Sequence, residues 1–184
     1  MPSIATALNR ALNKRVLVFA SASNEGANYP ITFPARLHGI FCIGSADGLG
    51  ASSSFNPPFI GEEKYSALGE AVSGACPKTL SHEPGYDPKH QTIRRDGTST
   101  ATPIAAGIAA LFIDYVRQFL EGDPAWSYDN MRKLFVRMSL ATVEKDYRYL
   151  APWSLFGAGR DPKTEIKNIL ATALGIRSPQ QQRC

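Results

Sequence analysis

Residues 97–111 read Gly-Thr-Ser-Thr-Ala-Thr-Pro-Ile-Ala-Ala-Gly-Ile-Ala-Ala-Leu, and this stretch decides how the rest of the chain is interpreted. Apolar and small residues recur at helical spacing over 101–112, which predicts a helix buried around nearly its whole circumference. Gly97 frees the backbone for a sharp turn, and Pro103 suits the first helical turn, where N–H groups lack internal acceptors. Ser99 then points its hydroxyl at unpaired N–H donors and the positive end of the helix dipole, which favours an anion there.

The same stretch carries a specific motif. Periodicity alone favours a structural helix with a Ser or Thr cap. The string Gly-Thr-Ser-x-Ala-x-Pro followed by Ala-Gly, however, closely resembles the nucleophile motif of the subtilisin-like serine proteases, the subtilases. That resemblance implies that Ser99 is a nucleophile of the Ser-His-Asp type, for which subtilisin is itself a standard example.

A second motif lies upstream, at residues 16–26, which read Val-Leu-Val-Phe-Ala-Ser-Ala-Ser-Asn-Glu-Gly. It resembles the subtilase strand and turn that end in the oxyanion-hole asparagine, and Asn24 matches that asparagine. Asn24 alone would be interpreted as a turn residue. By the same resemblance, one wall of the pocket for the substrate side chain is formed by Ala20, Ser21, Ala22 and Ser23, although Ser23 stands where the family usually has glycine.

The resemblance continues in family order over roughly residues 3–145, including residues 29–47 and 126–142. It implies an α/β fold, the three-layer subtilisin-like arrangement with a mostly parallel sheet, truncated at the N-terminus. We therefore expect residues 1–175 to be the C-terminal portion of a subtilase-like peptidase domain, and residues 176–184 to be a disordered tail.

Hydrophobic patterning predicts the individual elements independently of any family. A helix at 3–13 followed by a buried β-branched strand at 16–20 points to a parallel sheet. Proline-rich polar sequence predicts a long loop at 73–96. The remaining expected elements are strands at 41–45 and 65–72, the helix that carries Ser99 and runs to about 119, an amphipathic helix at 127–139, and a last helix from 161 to 175.

The chain lacks recognisable partners for Ser99. A serine hydroxyl needs a base, and the base needs an orienting carboxylate. The family's Asp-Thr/Ser-Gly strand motif and His-Gly-Thr motif, which precede these segments in subtilases, do not occur in this sequence. His38 is interpreted as a surface loop residue. His82 and His90, with Glu83 and Asp87 between them, fit no standard metal spacing and are interpreted as a solvated loop; Asp96 does not suit a triad member.

Composition excludes several other classes. The chain has 184 residues, 43% of them hydrophobic and 20% charged, and a formal net charge of +4. No basic run stands out, so we expect no nucleic-acid partner, and no apolar run reads as long enough to span a bilayer, so we expect no membrane partner. The three cysteines, Cys42, Cys76 and Cys184, are an odd number with no close pair in the sequence, which argues against a disulfide framework or a thiolate metal site, and we expect no cofactor or metal. Residues 14–22 loosely resemble a signal peptide but are interpreted as a strand, which favours an intracellular location.

Two functions from different classes remain open. The first is a serine-type endopeptidase acting on a peptide or protein substrate, with the missing N-terminal half of the domain supplied by an upstream segment or a separate piece. The second is a catalytically inactive pseudopeptidase or peptide-binding remnant; a gene fragment that does not fold alone is the third possibility.

Overall fold

The computed structural model describes residues 3–58, 64–119, 126–141 and 147–156, together with residues 164, 167–168 and 171–172. The expected tail at 176–184 and most of the expected helix at 161–175 lie outside these residues. The described positions 164, 167–168 and 171–172 are helical, as that expectation requires.

Five strands form the main sheet. Their bounds are β1 (Val18–Ser21), β2 (Ile40–Ala46), β3 (Lys64–Leu68), β7 (Ser139–Ala141) and β8 (Tyr147–Leu150). The order across the sheet is β1-β2-β3-β8-β7, and every neighbouring pair is parallel except β7 with β8. The α/β fold with a mostly parallel sheet is therefore confirmed.

Within the continuously described ranges, the helices that accompany the sheet are α1 (Ile4–Asn13), α2 (Thr98–Phe119), α3 (Tyr128–Met138) and the short α4 (Trp153–Phe156). Ser3 and Ser127 cap α1 and α3, since each serine side chain accepts a bond from the backbone N–H three residues later. Single 3-10 turns lie at Gly26–Asn28 and Lys78–Leu80.

The helices lie on both faces of the sheet. Side chains alternate along β2, and all seven of its residues are buried. Phe41 and Ile43 point into the large cluster with α2 and α3, whereas Ile40 and Cys42 point into a smaller cluster that Leu8 and Leu12 of α1 partly cover. This arrangement is helix, sheet and helix, in three layers.

The prediction of a long loop at 73–96 was wrong. A second, antiparallel sheet occupies this region, with β4 (Val72–Ala75), β5 (Tyr86–Asp87) and β6 (Thr92–Arg95) in the order β4-β6-β5. Its strands are short and mostly exposed, so the sequence carries no alternating apolar signal. The expected strand at 65–72 is accordingly two strands, β3 and β4, separated by the turn at residues 69–71.

Helix α2 is less enclosed than expected. One face is buried, and it consists of Ala101, Ala105, Ala109, Phe112 and Val116. The opposite face is solvent-exposed, with Leu111 52% exposed. By length and composition alone, residues 98–118 also meet the criterion for crossing a membrane, which corrects the expectation that no stretch is long enough. In the structure this helix packs on β1, β2 and β3.

Pro103 lies inside α2 instead of in its first turn. Because the helix begins at Thr98, Pro103 is where an N–H would otherwise bond to the carbonyl of Ser99. That carbonyl therefore has no donor from its own helix.

Candidate active site

The candidate site forms where the carboxyl ends of parallel strands meet the first turn of α2. Residues 22–24 follow β1, and Gly69 follows β3. Parallel strands bring their carboxyl ends to one edge of the sheet, which is where α/β proteins usually bind ligands. The turn at residues 96–100 lies across this edge, and both Ser99 and Asn24 are exposed there.

Gly97 gives this turn its shape. Its φ is +147°, a conformation that side chains disfavour. A Cβ on Gly97 would lie 3.2 Å from Ser99 Oγ and 3.3 Å from Asn24 Nδ2. The serine hydroxyl and the asparagine amide therefore border the same small space, although they are 75 residues apart in the chain.

Thr98 fixes the orientation of the Asn24 amide. The backbone N–H of Thr98 donates to Asn24 Oδ1 at 2.9 Å, and the Thr98 hydroxyl donates to the same oxygen at 3.0 Å. A backbone N–H can only donate, so the amide atom facing Thr98 must be the oxygen. The Nδ2 group is thereby left to donate elsewhere, and it lies 3.3 Å from the point where a Cβ on Gly97 would be, with Oδ1 at 3.6 Å from that point.

A second set of bonds holds the turn to the end of β3. The carbonyl of Gly69 accepts from the Gly97 N–H at 2.8 Å and from the Thr100 hydroxyl at 3.1 Å. The Thr100 hydroxyl also lies 2.7 Å from the carbonyl of Gly97. Asp96 accepts a bond from the N–H of Ala71 at 2.5 Å. Ser99 is thus flanked by Thr98, which is bonded to the end of β1, and by Thr100, which is bonded to the end of β3.

The four residues expected to line a substrate pocket differ in exposure. Ala20 and Ala22 are buried against the smaller cluster, whereas Ser21 and Ser23 are half-buried. Ser23 has φ +143°, and its carbonyl accepts from the Thr98 hydroxyl at 3.3 Å. A glycine at this position, as is usual in subtilases, would adopt the same conformation without a steric penalty.

The described residues bring no histidine to Ser99. His38 packs against Tyr128, with ring centroids 5.9 Å apart and the ring planes tilted by 58°. His90 Nδ1 lies 2.7 Å from Asp87 Oδ2, and this hydrogen bond lowers the pKa of the aspartate. His82 lies 3.8 Å from Glu83, whose pKa is lowered mainly by its hydrogen bond from Arg95.

Cysteines and carboxylates offer no metal centre in the described part of the chain, where no cluster of three or more ligand side chains occurs. Cys42 and Cys76 are free and buried. Burial raises the pKa of the Cys42 thiol to about 11, while the positive charge of Lys64 opposes that rise. A neutral thiol of this kind is a packing residue, not a nucleophile.

Sequence reasoning missed three residues that build this edge: Gly69, Thr98 and Thr100. Thr98 lay inside the motif but was not given a role, since its importance comes from Asn24, which is distant in sequence. Gly69 lay inside the stretch at 65–72 that was expected to be a single strand. Its glycine inside an apolar run was the available signal, because such glycines often mark a close backbone approach.

Comparison with known proteins places the sequence among proteases. Residues 1–159 match the model of the Subtilase family. The thermostable alkaline protease of Halalkalibacterium halodurans is 31% identical over 105 residues, which are 57% of this chain and 26% of that protein. The M-protease of Shouchella clausii is 32% identical over 126 residues, which are 68% of this chain and 28% of that protein. The chain therefore spans little more than a quarter of the length of these curated relatives.

Solved structures show the same architecture. The protease domain of PatA superposes with a TM-score of 0.65 at 23% identity, covering 90% of this chain and 52% of the other. The PatG macrocyclase, solved in complex with a peptide, superposes with a TM-score of 0.61 at 22% identity, covering 91% of this chain and 46% of the other. At these identities the match establishes the fold alone.

Proposed function

Because this chain belongs to the Subtilase family, we propose that it forms the nucleophile-bearing part of a serine endopeptidase, with Ser99 as nucleophile and Asn24 as oxyanion donor. The observation that carries the proposal is the convergence of Ser99 Oγ and Asn24 Nδ2 beside Gly97, at 3.2 and 3.3 Å from the point where a Cβ would lie. The substrate is a peptide or protein.

The chemistry follows from these two groups. Ser99 Oγ attacks the carbonyl carbon of the scissile peptide bond, and its proton passes to a histidine base. The carbonyl oxygen becomes an oxyanion, which Asn24 Nδ2 stabilises by donating a hydrogen bond. The C–N bond then breaks, the amine leaves with the proton, and water hydrolyses the acyl-enzyme.

We propose that the histidine and its aspartate come from a segment of the complete domain outside these 184 residues. The support is twofold. The chain spans only 52% of the PatA protease domain chain. In addition, β1 is an edge strand in the described sheet, and apolar side chains in the segment that precedes it are exposed: Val16 is 51% exposed and Ile4, at the start of α1, is 70% exposed. An open edge next to apolar surface is expected to be covered in a stable protein.

A fluorophosphonate probe tests the proposal, because it reacts with activated serines. We expect the complete protein to be labelled at Ser99 and Ser99→Ala to remain unlabelled. Asn24→Ala removes an oxyanion donor, a change that in subtilisin itself costs about 10²–10³ in turnover, and we expect a loss of similar order in the labelling rate.

The control is Asn28→Ala, which changes an exposed asparagine in the neighbouring turn at Gly26–Asn28 and should leave the rate unchanged. A folded complete protein that is not labelled would overturn the proposal in favour of a non-catalytic peptide-binding domain.

A further inference from the structure

We propose that Thr100 and Gly69 form a tether that positions Ser99 for reaction, and this inference rests on the function proposed above. The tether is the bond from the Thr100 hydroxyl to the carbonyl of Gly69, at 3.1 Å. It joins the residue after Ser99 to the end of β3, across 31 residues of sequence. Thr100 is a positioning residue in this proposal, since it acts on the reaction only through the placement of Ser99.

The tether complements the bonds made by Thr98. Thr98 directly precedes Ser99, and its backbone N–H and hydroxyl both donate to Asn24, which follows β1. On the β3 side, the other bonds of this turn are made by residues before Ser99: the Gly97 N–H donates to the Gly69 carbonyl, and Asp96 accepts from the Ala71 N–H. Thr100 adds a bond to this side from the residue that follows Ser99. This attachment on the other side of Ser99 limits rotation of the first turn of α2, so that the hydroxyl faces the space beside Asn24. Small displacements matter here, because misplacing a reacting group by about 1 Å can cost 10²-fold in rate.

The helix itself provides less support at this point than in its later turns. Pro103 deprives the Ser99 carbonyl of its donor within the helix. The Thr100 hydroxyl also reaches the carbonyl of Gly97 at 2.7 Å, so one hydroxyl is shared between two carbonyls, one in the turn and one directly after β3. The turn is consequently held by external bonds.

Gly69 is suited to this role because it has no side chain. A Cβ there would collide with Ser45 Oγ and would lie 2.9 Å from the carbonyl of Gly97. Ser45 cannot easily yield. It is fully buried, Ser53 donates to its hydroxyl at 2.8 Å, and Asn56 bonds to both its backbone N–H and its carbonyl. The glycine therefore lets the turn rest directly on a rigid, buried polar cluster.

Two substitutions of Thr100 in the complete protein test the tether. Thr100→Val keeps the shape and removes the hydroxyl, and we expect it to lower the labelling rate of Ser99 about tenfold, the size that the loss of one hydrogen bond can produce. With a peptide substrate, the loss should appear in kcat with KM unchanged. Thr100→Ser restores the hydroxyl and should restore the rate to within about threefold of the wild-type value.

Thr102→Val is the matched control. The Thr102 hydroxyl donates to the carbonyl of Thr98 at 2.7 Å, but this bond stays within α2. Its loss should change the labelling rate less than twofold. Equal effects of Thr100→Val and Thr102→Val, or full activity in a folded Thr100→Val, would overturn the tether.

Amide hydrogen exchange of Gly97 separates this proposal from the proposed function. The Gly97 N–H donates to the same Gly69 carbonyl, so Thr100→Val should speed its exchange about tenfold, and Thr102→Val should not. If the wild type is not labelled, the proposed function fails, but the exchange experiment still tests the tether. Unchanged Gly97 exchange in Thr100→Val would overturn the tether, and faster exchange would support it. Should Thr100→Val not fold, Gly69→Ala takes its place with Gly74→Ala as control, since a Cβ at Gly74 meets nothing within 4 Å.

Discussion

The two faces of the main sheet are buried to different degrees. The face toward α2 and α3 holds fifteen buried residues in one cluster, including Phe41, Phe112 and Phe135. The face toward α1 holds six, and α1 itself contributes no buried residue. The candidate site lies at the carboxyl ends of the strands, between the two faces of the sheet. One side of the site is therefore backed by the larger packed core, and the other by a smaller cluster that α1 covers only in part.

Substitution of a large core residue on each face should give the largest contrast. Phe41 is 1% exposed and stacks on Phe19 at 4.9 Å, so Phe41→Ala should lower the free energy of unfolding by about 3–5 kcal/mol. Ile4 on α1 is 70% exposed, and Ile4→Ala should change it by less than about 0.5 kcal/mol. Urea unfolding of the 184-residue chain measures both. In the complete protein, the proposed covering segment should make the loss at Ile4 larger than in the 184-residue chain, and an equally small loss in both would contradict that covering.

A substitution just after β1 should change the free energy of unfolding by a smaller amount, and it should stabilise the protein. Ser23 has φ +143°, which a non-glycine residue adopts at a cost. Ser23→Gly should therefore raise the free energy of unfolding by about 1 kcal/mol, after allowing for the greater freedom of glycine in the unfolded chain. Ser21→Gly, within the regular strand β1, is the control and should lower it by about 0.5–1 kcal/mol. Destabilisation by Ser23→Gly would show that the serine side chain has a structural role.

The reactivity of the Cys42 thiol can be used to probe the less covered face of the sheet, and it needs no substitution that would change the stability of the protein. Burial raises the pKa of its thiol to about 11, so the thiolate is disfavoured in the folded protein, and reactivity should rise only as the pH approaches 11. At pH 8 iodoacetamide should modify Cys42 about a hundredfold more slowly in the native protein than in urea, as measured by peptide mass spectrometry. Rapid native modification at pH 8 would mean that the cluster beneath α1 opens frequently.

The elements that sequence reasoning predicted are those with a local signal. Helix α3 begins at its Ser127 cap and buries Met131, Leu134, Phe135 and Met138, as the helical spacing predicted. Strand β2 begins with an apolar run at residues 40–43 and is buried throughout. Both signals are read from neighbouring residues, so no knowledge of the tertiary structure is needed.

The features that were missed depend on distant partners. Strands β4 and β6 pair Gly74 with Ile93 and expose most of their side chains, so neither strand carries a pattern of its own. Asn24 and Ser99 were proposed as site residues through family motifs alone. The amide orientation that Thr98 imposes, and the tether between Thr100 and Gly69, are tertiary contacts that no short stretch of sequence encodes.

The hydrogen bonds around Asn24 also bear on the order of folding. They connect it to Thr98, which lies 74 residues later in the chain. Contacts of such long sequence separation form only after the loop-closure entropy has been compensated by other structure. We therefore expect the pairing of β1 with β2 and of β2 with β3 to precede them. The appearance of the space between Asn24 and Ser99 would then serve as a marker that these three strands have reached their native register.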